Sequence, residues 1–201
     1  MRVVALSSGG VDSSVMMHLL KEKDCKIFPL FVDYGQRAAN AEWKACQRIC
    51  QYLGLEADRM DVSGFGHLVK SGLTDSNLDI ETEAFLPTRN LMFLTLGAAY
   101  GYGRSAYVVA IGLLSNPIFP DQTPEFVKET QKTISRALGT EITILAPLIS
   151  LDKYDTLRLA RKHGIPLEYT YSCHSGNEKP CGKCISCKER IAAERGLSQC
   201  P

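Results

Sequence analysis

The sequence predicts an α/β protein, built as a doubly wound parallel sheet with a small cysteine-bound appendage behind it. Three observations carry that reading. Short runs rich in branched residues alternate with longer segments whose apolar residues recur every three or four positions. A small-residue loop, SSGG (7–10), joins the first branched run to the first helical stripe. Four cysteines crowd into residues 173–187, near the end of a 201-residue chain.

Residues 2–7 (RVVALS) and 26–32 (KIFPLFV) read as buried strands. Between them Val11, Val15 and Leu19, with Met16 and Leu20 alongside, make a helical stripe. A strand, helix, strand unit of this kind implies parallel strands joined by a right-handed crossover. The alternation continues with a helix near 38–53, a strand near 56–61 and a long apolar helix near 90–103. A strand at 106–111, a helix near 124–138, a strand at 142–145 and a helix near 153–162 complete it. Residues 63–88, rich in Gly, Ser, Thr and Asp, read as an extended loop or lid. The composition changes after Tyr171, so we expect an α/β domain over 1–170 and a metal-binding module over 171–201, packed on it.

Lys and Arg number 23 against 22 Asp and Glu. That balance does not favour a bulk nucleic-acid binder or a membrane-surface protein, and no direct nucleic-acid contact is expected. The apolar runs are too short to span a bilayer. Residues 1–7 read as a strand rather than a signal peptide. The expectation is a soluble cytoplasmic protein. The chain has eight cysteines. Cys46 and Cys50 share an apolar helical face with Ala39, Trp43 and Leu53, which points to packing.

The loop after the first strand is built for an anion. Ser8, Gly9 and Gly10 let the backbone bend sharply and bring its amides near a ligand. Those amides, the following helix N-terminus and the Ser13 and Ser14 hydroxyls suit phosphate oxygens. The loop lacks the lysine of G-x-x-x-x-G-K-[ST] and does not fit G-x-G-x-x-G. The alternative is an ordinary strand-to-helix turn, with Ser8 or Asp12 as its cap.

The full string S-G-G-V-D-S (8–13) resembles the PP-loop of the ATP pyrophosphatases, which have an adenine nucleotide alpha hydrolase-like fold. The resemblance implies that Ser7, Ser8, Gly9, Gly10, Val11, Asp12, Ser13 and Ser14 grip the pyrophosphate part of ATP. Its α-phosphate would then be attacked to give an adenylated substrate. Asp12 beside phosphates makes sense with a counter-cation such as Mg²⁺.

Four further stretches narrow the resemblance: FVDYGQR (31–37), LPTRN (86–90), FPDQTPEF (119–126) and CHSGNEKPCGKCISCKER (173–190). In this order the chain is similar to the 7-cyano-7-deazaguanine synthase family over nearly its whole length. The resemblance implies conversion of 7-carboxy-7-deazaguanine and ammonia to the nitrile at the expense of ATP, through an adenylated carboxylate and an amide, in queuosine-type biosynthesis. It also implies a homodimer. No protein nucleophile is required, so positioning and charge stabilisation around the phosphates would carry catalysis. Asp12, Arg89 and Lys153 are the expected catalytic groups, with Arg37 also placed at the phosphates. Arg89, Asn90, Phe119 and Asp121 are the expected substrate contacts, Asp121 accepting N–H donors from a guanine edge. For Asp121 the alternative is a cap on the helix that begins at Pro124.

The chain departs from the family pattern in places. Ala38 stands where the family usually has His, and Thr88 where it usually has Gly. The segment LLSNPIF (113–119) is shorter, and Gln122 and Thr123 replace the usual Cys and Arg. A paralogue with the same ATP chemistry on another carboxylate, such as a peptide or protein terminus, is therefore the second reading. A zinc-ribbon adaptor without turnover is the third.

Cys173, Cys181, Cys184 and Cys187 offer four thiolates to one ion, with Gly182 easing the turn. Such a set suits tetrahedral Zn²⁺. Closely spaced C-x₂-C-x₂-C also occurs around iron–sulfur centres, but the resembling family carries zinc here. His174 is not expected to be a ligand. Cys200-Pro201 has the form of a ferredoxin ending, read as chance given its distance from Cys187.

Overall fold

The computed structural model describes residues 1–199; Cys200 and Pro201 lie outside the described residues. Its centre is a five-stranded, all-parallel sheet: β1 (Arg2–Leu6), β2 (Lys26–Asp33), β3 (Asp58–Asp61), β4 (Val108–Ala110) and β5 (Thr143–Leu145), in the spatial order β3-β2-β1-β4-β5. The register sets Val4 against Phe28 on one side and Val109 on the other. β1 therefore lies in the middle, and Val3, Val4 and Ala5 are wholly buried. Both faces of a central parallel strand meet helices, so a continuous apolar run replaces alternation. β3 begins opposite Leu30, which leaves Pro29 within β2 with no β3 residue beside it.

Seven helices cover the sheet among the described residues: α1 (Val11–Glu22), α2 (Ala39–Tyr52), α3 (Gly64–Leu68), α4 (Arg89–Tyr102), α5 (Pro124–Leu138), α6 (Lys153–Lys162) and α7 (Ile185–Gln199). The buried core divides across the two faces. Val15, Met16, Ile49 and Leu157 lie on one, with Leu94, Ala98, Ile134 and Ile142 on the other. Cys46 and Cys50 are packed in the first cluster together with Trp43 and Leu53.

One part of the sequence reading is corrected. Residues 63–88 are not simply extended: they contain α3 and wrap Leu73, Ala84 and Leu86 around Tyr34 as a small core of their own. The tail adds a helix to the cysteine cluster. It ends in α7, whose Ala193 and Leu197 pack onto the main core and whose Gly196 lies against the Tyr154 ring.

Candidate active site

The turns that leave the carboxyl ends of β1, β2 and β4 open into one cleft of about 550 Å³. Ligand crevices of open parallel sheets lie at this edge. β1 stops at Leu6 and α1 starts at Val11, and between them Gly9 has a φ of +75°. A Cβ there would stand 2.5 Å from the Cys46 amide nitrogen. Only glycine allows the loop to press so closely on α2.

Gly10 is the N-cap residue of α1, and no side chain caps the helix. The cap readings for Ser8 and Asp12 are thus not what forms. Ser13 and Ser14 instead donate their hydroxyls to the Gly10 carbonyl, at 3.1 and 2.7 Å, while Ser8 Oγ accepts from the Gly10 amide at 3.3 Å. First-turn helix amides have no intrahelical acceptor, so this end of α1 presents free donors and the positive end of its dipole to the cleft. Ser7, Ser8, Gly10, Asp12 and Ser13 line the cleft. Val11 and Ser14 are buried beneath it.

Lys153, the first residue of α6, reaches the loop. Its Nζ lies 2.5 Å from Asp12 Oδ2, with both side chains largely shielded from solvent. Asp12 Oδ1 is buried and has no hydrogen-bond partner. Asp152, just before Lys153, caps α6 by accepting from the Asp155 amide.

The opposite wall is the start of α4. Arg89 and Asn90 line the cleft with Phe93, and the Arg89 guanidinium stands 5.9 Å over the Phe93 ring. Asn90 is buried; its amide donates to Asp121 Oδ2 and its Nδ2 to the Asp121 carbonyl, both at 3.0 Å. Asp121 therefore acts as a cap on α4. The cap before Pro124 is Thr123, which accepts from the Phe126 amide. Phe119 lines the cleft and meets Phe85 at a centroid distance of 5.2 Å.

Arg37 is not brought to the loop. Its amide donates to the Leu73 carbonyl and its Nη1 to the Gly72 carbonyl. It lines a second, smaller cavity together with Asn177 and Lys183.

Several cleft residues escaped the sequence reading. Glu42 on α2 turns inward, where Gln36 Nε2 donates to its Oε2 at 2.9 Å. Burial pushes its carboxyl up to about 7, against the opposing pull of Gln36 and of the Arg89 charge. Tyr34 is likewise raised by burial, to about 12. The tail adds Tyr171, whose amide donates to the Gly9 carbonyl, along with Glu189 and His174. His174 Nε2 lies 3.0 Å from Ser186 Oγ. Burial first, then the charges of Arg89 and Lys153, lower it to about 4, so its ring is neutral. An acidic residue on the α2 face and a histidine beside a thiolate were the available signals, and neither predicts burial by itself.

The cysteine cluster lies behind this wall. The sulfurs of Cys173, Cys181, Cys184 and Cys187 all fall within 4.8 Å of one another. Tetrahedral Zn–S bonds of ~2.3 Å would separate them by about 3.8 Å. The Cys181 amide donates to Cys173 Sγ at 3.2 Å, and the Cys184 amide to Cys181 Sγ at 3.4 Å. Burial opposes ionisation of Cys173, but the Ser175 hydroxyl and the neighbouring amides outweigh it and bring the thiol down to about 6. This donor set fits a closed structural site for a soft tetrahedral ion.

Residues 2–197 match the family model described as Queuosine biosynthesis protein QueC. The chain belongs to that family. It is 35% identical to 7-cyano-7-deazaguanine synthase 2 of Desulfitobacterium hafniense (strain Y51), over 98% of this chain and 90% of that protein. It is 36% identical to the 7-cyano-7-deazaguanine synthase of Prochlorococcus marinus (strain MIT 9515), over 94% and 92%. Among solved structures it resembles the NMN synthetase of Francisella tularensis, with TM-score 0.58, 13% identity and coverage of 98% of this chain and 76% of that one. It also resembles a 4-thiouridine synthetase–RNA complex with bound ATP, with TM-score 0.56, 17% identity and coverage of 98% and 50%. At such identities these two show the fold alone. No described helix is long and apolar enough to cross a membrane.

Proposed function

We propose that this chain is an ATP-dependent C–N ligase that makes 7-cyano-7-deazaguanine from 7-carboxy-7-deazaguanine and ammonia. One observation carries the reading furthest: the uncapped start of α1, the Asp12–Lys153 pair and Arg89 all face the same cleft. The first two suit a polyphosphate, and the third suits a carboxylate.

A carboxylate is a poor electrophile, because its oxygens leave only as oxide. One carboxylate oxygen attacks the α-phosphorus of ATP, a P–O bond to the β-phosphate breaks, and pyrophosphate leaves. Ammonia then attacks the acyl carbon, AMP departs with the former carboxylate oxygen, and the primary amide remains. A second adenylation, on the amide oxygen, followed by loss of AMP and two N–H protons, gives the nitrile.

The α1 amides and Ser8 and Ser13 hold the phosphates, and Lys153 offsets charge gathering on the leaving pyrophosphate. Arg89 orients the carboxylate as a bidentate partner. The cleft wall of Leu6, Leu30, Val32 and Leu113 is apolar enough to pack a base. Asp12 Oδ1, a buried oxygen with no partner, fits a role as Mg²⁺ ligand; when bound, that ion neutralises phosphate charge. The four cysteines hold Zn²⁺ as a structural ion that fixes the tail against the cleft.

The family resemblance supports a homodimer, which sedimentation would test. Thiols kept free for metal fit a reducing compartment, the cytoplasm. The altered 113–123 segment, which supplies Ile118, Phe119 and Gln122 to the cleft, favours a second reading in which the same chemistry acts on another carboxylate. Heavy-oxygen labelling tests the adenylation step. Label in the substrate carboxylate ends in AMP on this reading, whereas label in inorganic phosphate, with release of ADP, would refute it.

A further inference from the structure

α1 and α6 meet again at their far ends, where a second group of ligand-type side chains converges. His18 lies on α1, Glu22 ends that helix, and His163 is the C-cap of α6. Glu22 Oε1 stands 3.0 Å from His163 Nδ1 and 3.5 Å from His18 Nε2. The imidazole centroids are 4.9 Å apart and the rings are tilted by 57°. All three ligand atoms lie within 4.8 Å of one another.

We propose that His18, Glu22 and His163 form a second metal site, for a divalent transition ion of the zinc class. Ligand atoms held ~2.0–2.2 Å from a tetrahedral zinc are about 3.3–3.6 Å apart, which is the spacing of Glu22 to the two rings within a few tenths of an ångström. Two imidazoles and one carboxylate select zinc-class ions over Mg²⁺ and Ca²⁺, which prefer oxygen alone. Three protein ligands leave the fourth position to water, and Glu22, whose side chain is 48% exposed, opens the site to solvent.

Two further features favour a cation here. Both helices end at this point, so their last carbonyls give the site a negative potential. Hydrogen bonding also leaves the cluster incomplete, because a single Glu22 oxygen faces both rings. The nearby basic groups do not fill it. Lys21 Nζ is held 2.5 Å from the Leu53 carbonyl, and Arg161 and Lys162 are exposed.

The site is separate from the cleft. Glu22 lies ten positions beyond Asp12 along α1, a rise of about 15 Å. Asp12 and Lys153 join the two helices at the cleft end, and a metal at His18, Glu22 and His163 would join them at the other. Its expected role is to tie α1 to α6.

The test uses the whole chain with its cysteine cluster already loaded with zinc. Excess Zn²⁺ is added, the protein is desalted, and metal per chain is counted by plasma emission. The wild type should retain about one further zinc, and its melting temperature should rise by a few degrees, because an ion that binds only the folded state stabilises it. His18→Gln and His163→Gln should keep the cluster zinc and lose both gains. Glu22→Gln, at an exposed position, serves the same purpose should a histidine variant fail to fold. Co²⁺ added instead should give d–d bands without the thiolate charge transfer that marks the cysteine cluster. Absence of a second equivalent in the wild type, or its retention in all three variants, would overturn the proposal.

Discussion

Lys153 Nζ and Asp12 Oδ2 are 2.5 Å apart although 141 residues separate them in the chain. The pair closes the fold at the point where the first and sixth helices begin, and it puts one charge of each sign beside the uncapped α1 amides. Lys153→Ala leaves Asp12 as a poorly solvated charge and removes the cation proposed for the leaving pyrophosphate. Turnover should fall by roughly 100-fold or more, with the far-ultraviolet circular dichroism spectrum unchanged. Asp12→Ala should lose as much, and the double variant little more, because the two groups act as a unit. AMP release measures all three; full independence of the two losses would break the pairing argument.

The start of α4 gives a paired prediction. Thr88 holds a left-handed conformation, φ +60° and ψ +15°, directly before Arg89. A β-branched residue is strained there, which gives a physical meaning to the glycine usual at this place in the family. Thr88→Gly should stabilise the protein by about 1 kcal/mol, or ~2–4 °C in melting temperature. Asp121→Ala removes the carboxylate that accepts the Asn90 amide, and should cost about 1–2 kcal/mol. Calorimetric melts check both signs.

Glu42 makes stability depend on pH. Burial raises its carboxyl from the ordinary 4.5 to about 7 in the folded chain. Between those values the folded state keeps a proton that the unfolded state has released. Stability therefore falls as pH rises from 4.5 to 7 and levels off above, by at most about 3 kcal/mol. Glu42→Gln should flatten that slope and leave the variant more stable than wild type at pH 8. Denaturant midpoints across the range measure it, and identical slopes for the two proteins would contradict the burial account.

Removing the metal should loosen the tail first. About one zinc per chain is expected to survive purification, and a strong chelator should unfold residues after Tyr171 before the sheet, since metal binding is folding energy for such a module. Tyr171 binds Gly9 through the backbone and His174 lines the cleft, so ATP affinity should drop with the metal. Cys184→Ser should mimic chelation. Iron–sulfur absorbance in the purified protein would refute zinc.

How much of this could be read beforehand followed from how local its causes are. The β1–loop–α1 unit was clear because Val3 to Leu6, the glycines and the Val11, Val15, Leu19 stripe form one continuous pattern. The same holds for the four cysteines, whose spacing alone brings their sulfurs together. Arg37 went elsewhere because its partners, the Leu73 and Gly72 carbonyls, belong to a segment whose folding no periodicity announces. Asp121 was placed near Asn90, but its role there turned on a contact between a 3₁₀ turn and a helix some thirty residues earlier. Glu42 and His174 were missed since their burial is made jointly by α2, α4 and the tail. α7 was hidden under the cysteine motif that begins it.

The measurement that bears most directly on the function is a single incubation. The protein is mixed with ATP, Mg²⁺, ammonium and 7-carboxy-7-deazaguanine, and the products are read by mass. The expected product is 7-cyano-7-deazaguanine, with AMP and pyrophosphate formed at about two of each per nitrile. No nitrile or amide, with ATP left intact, would contradict it.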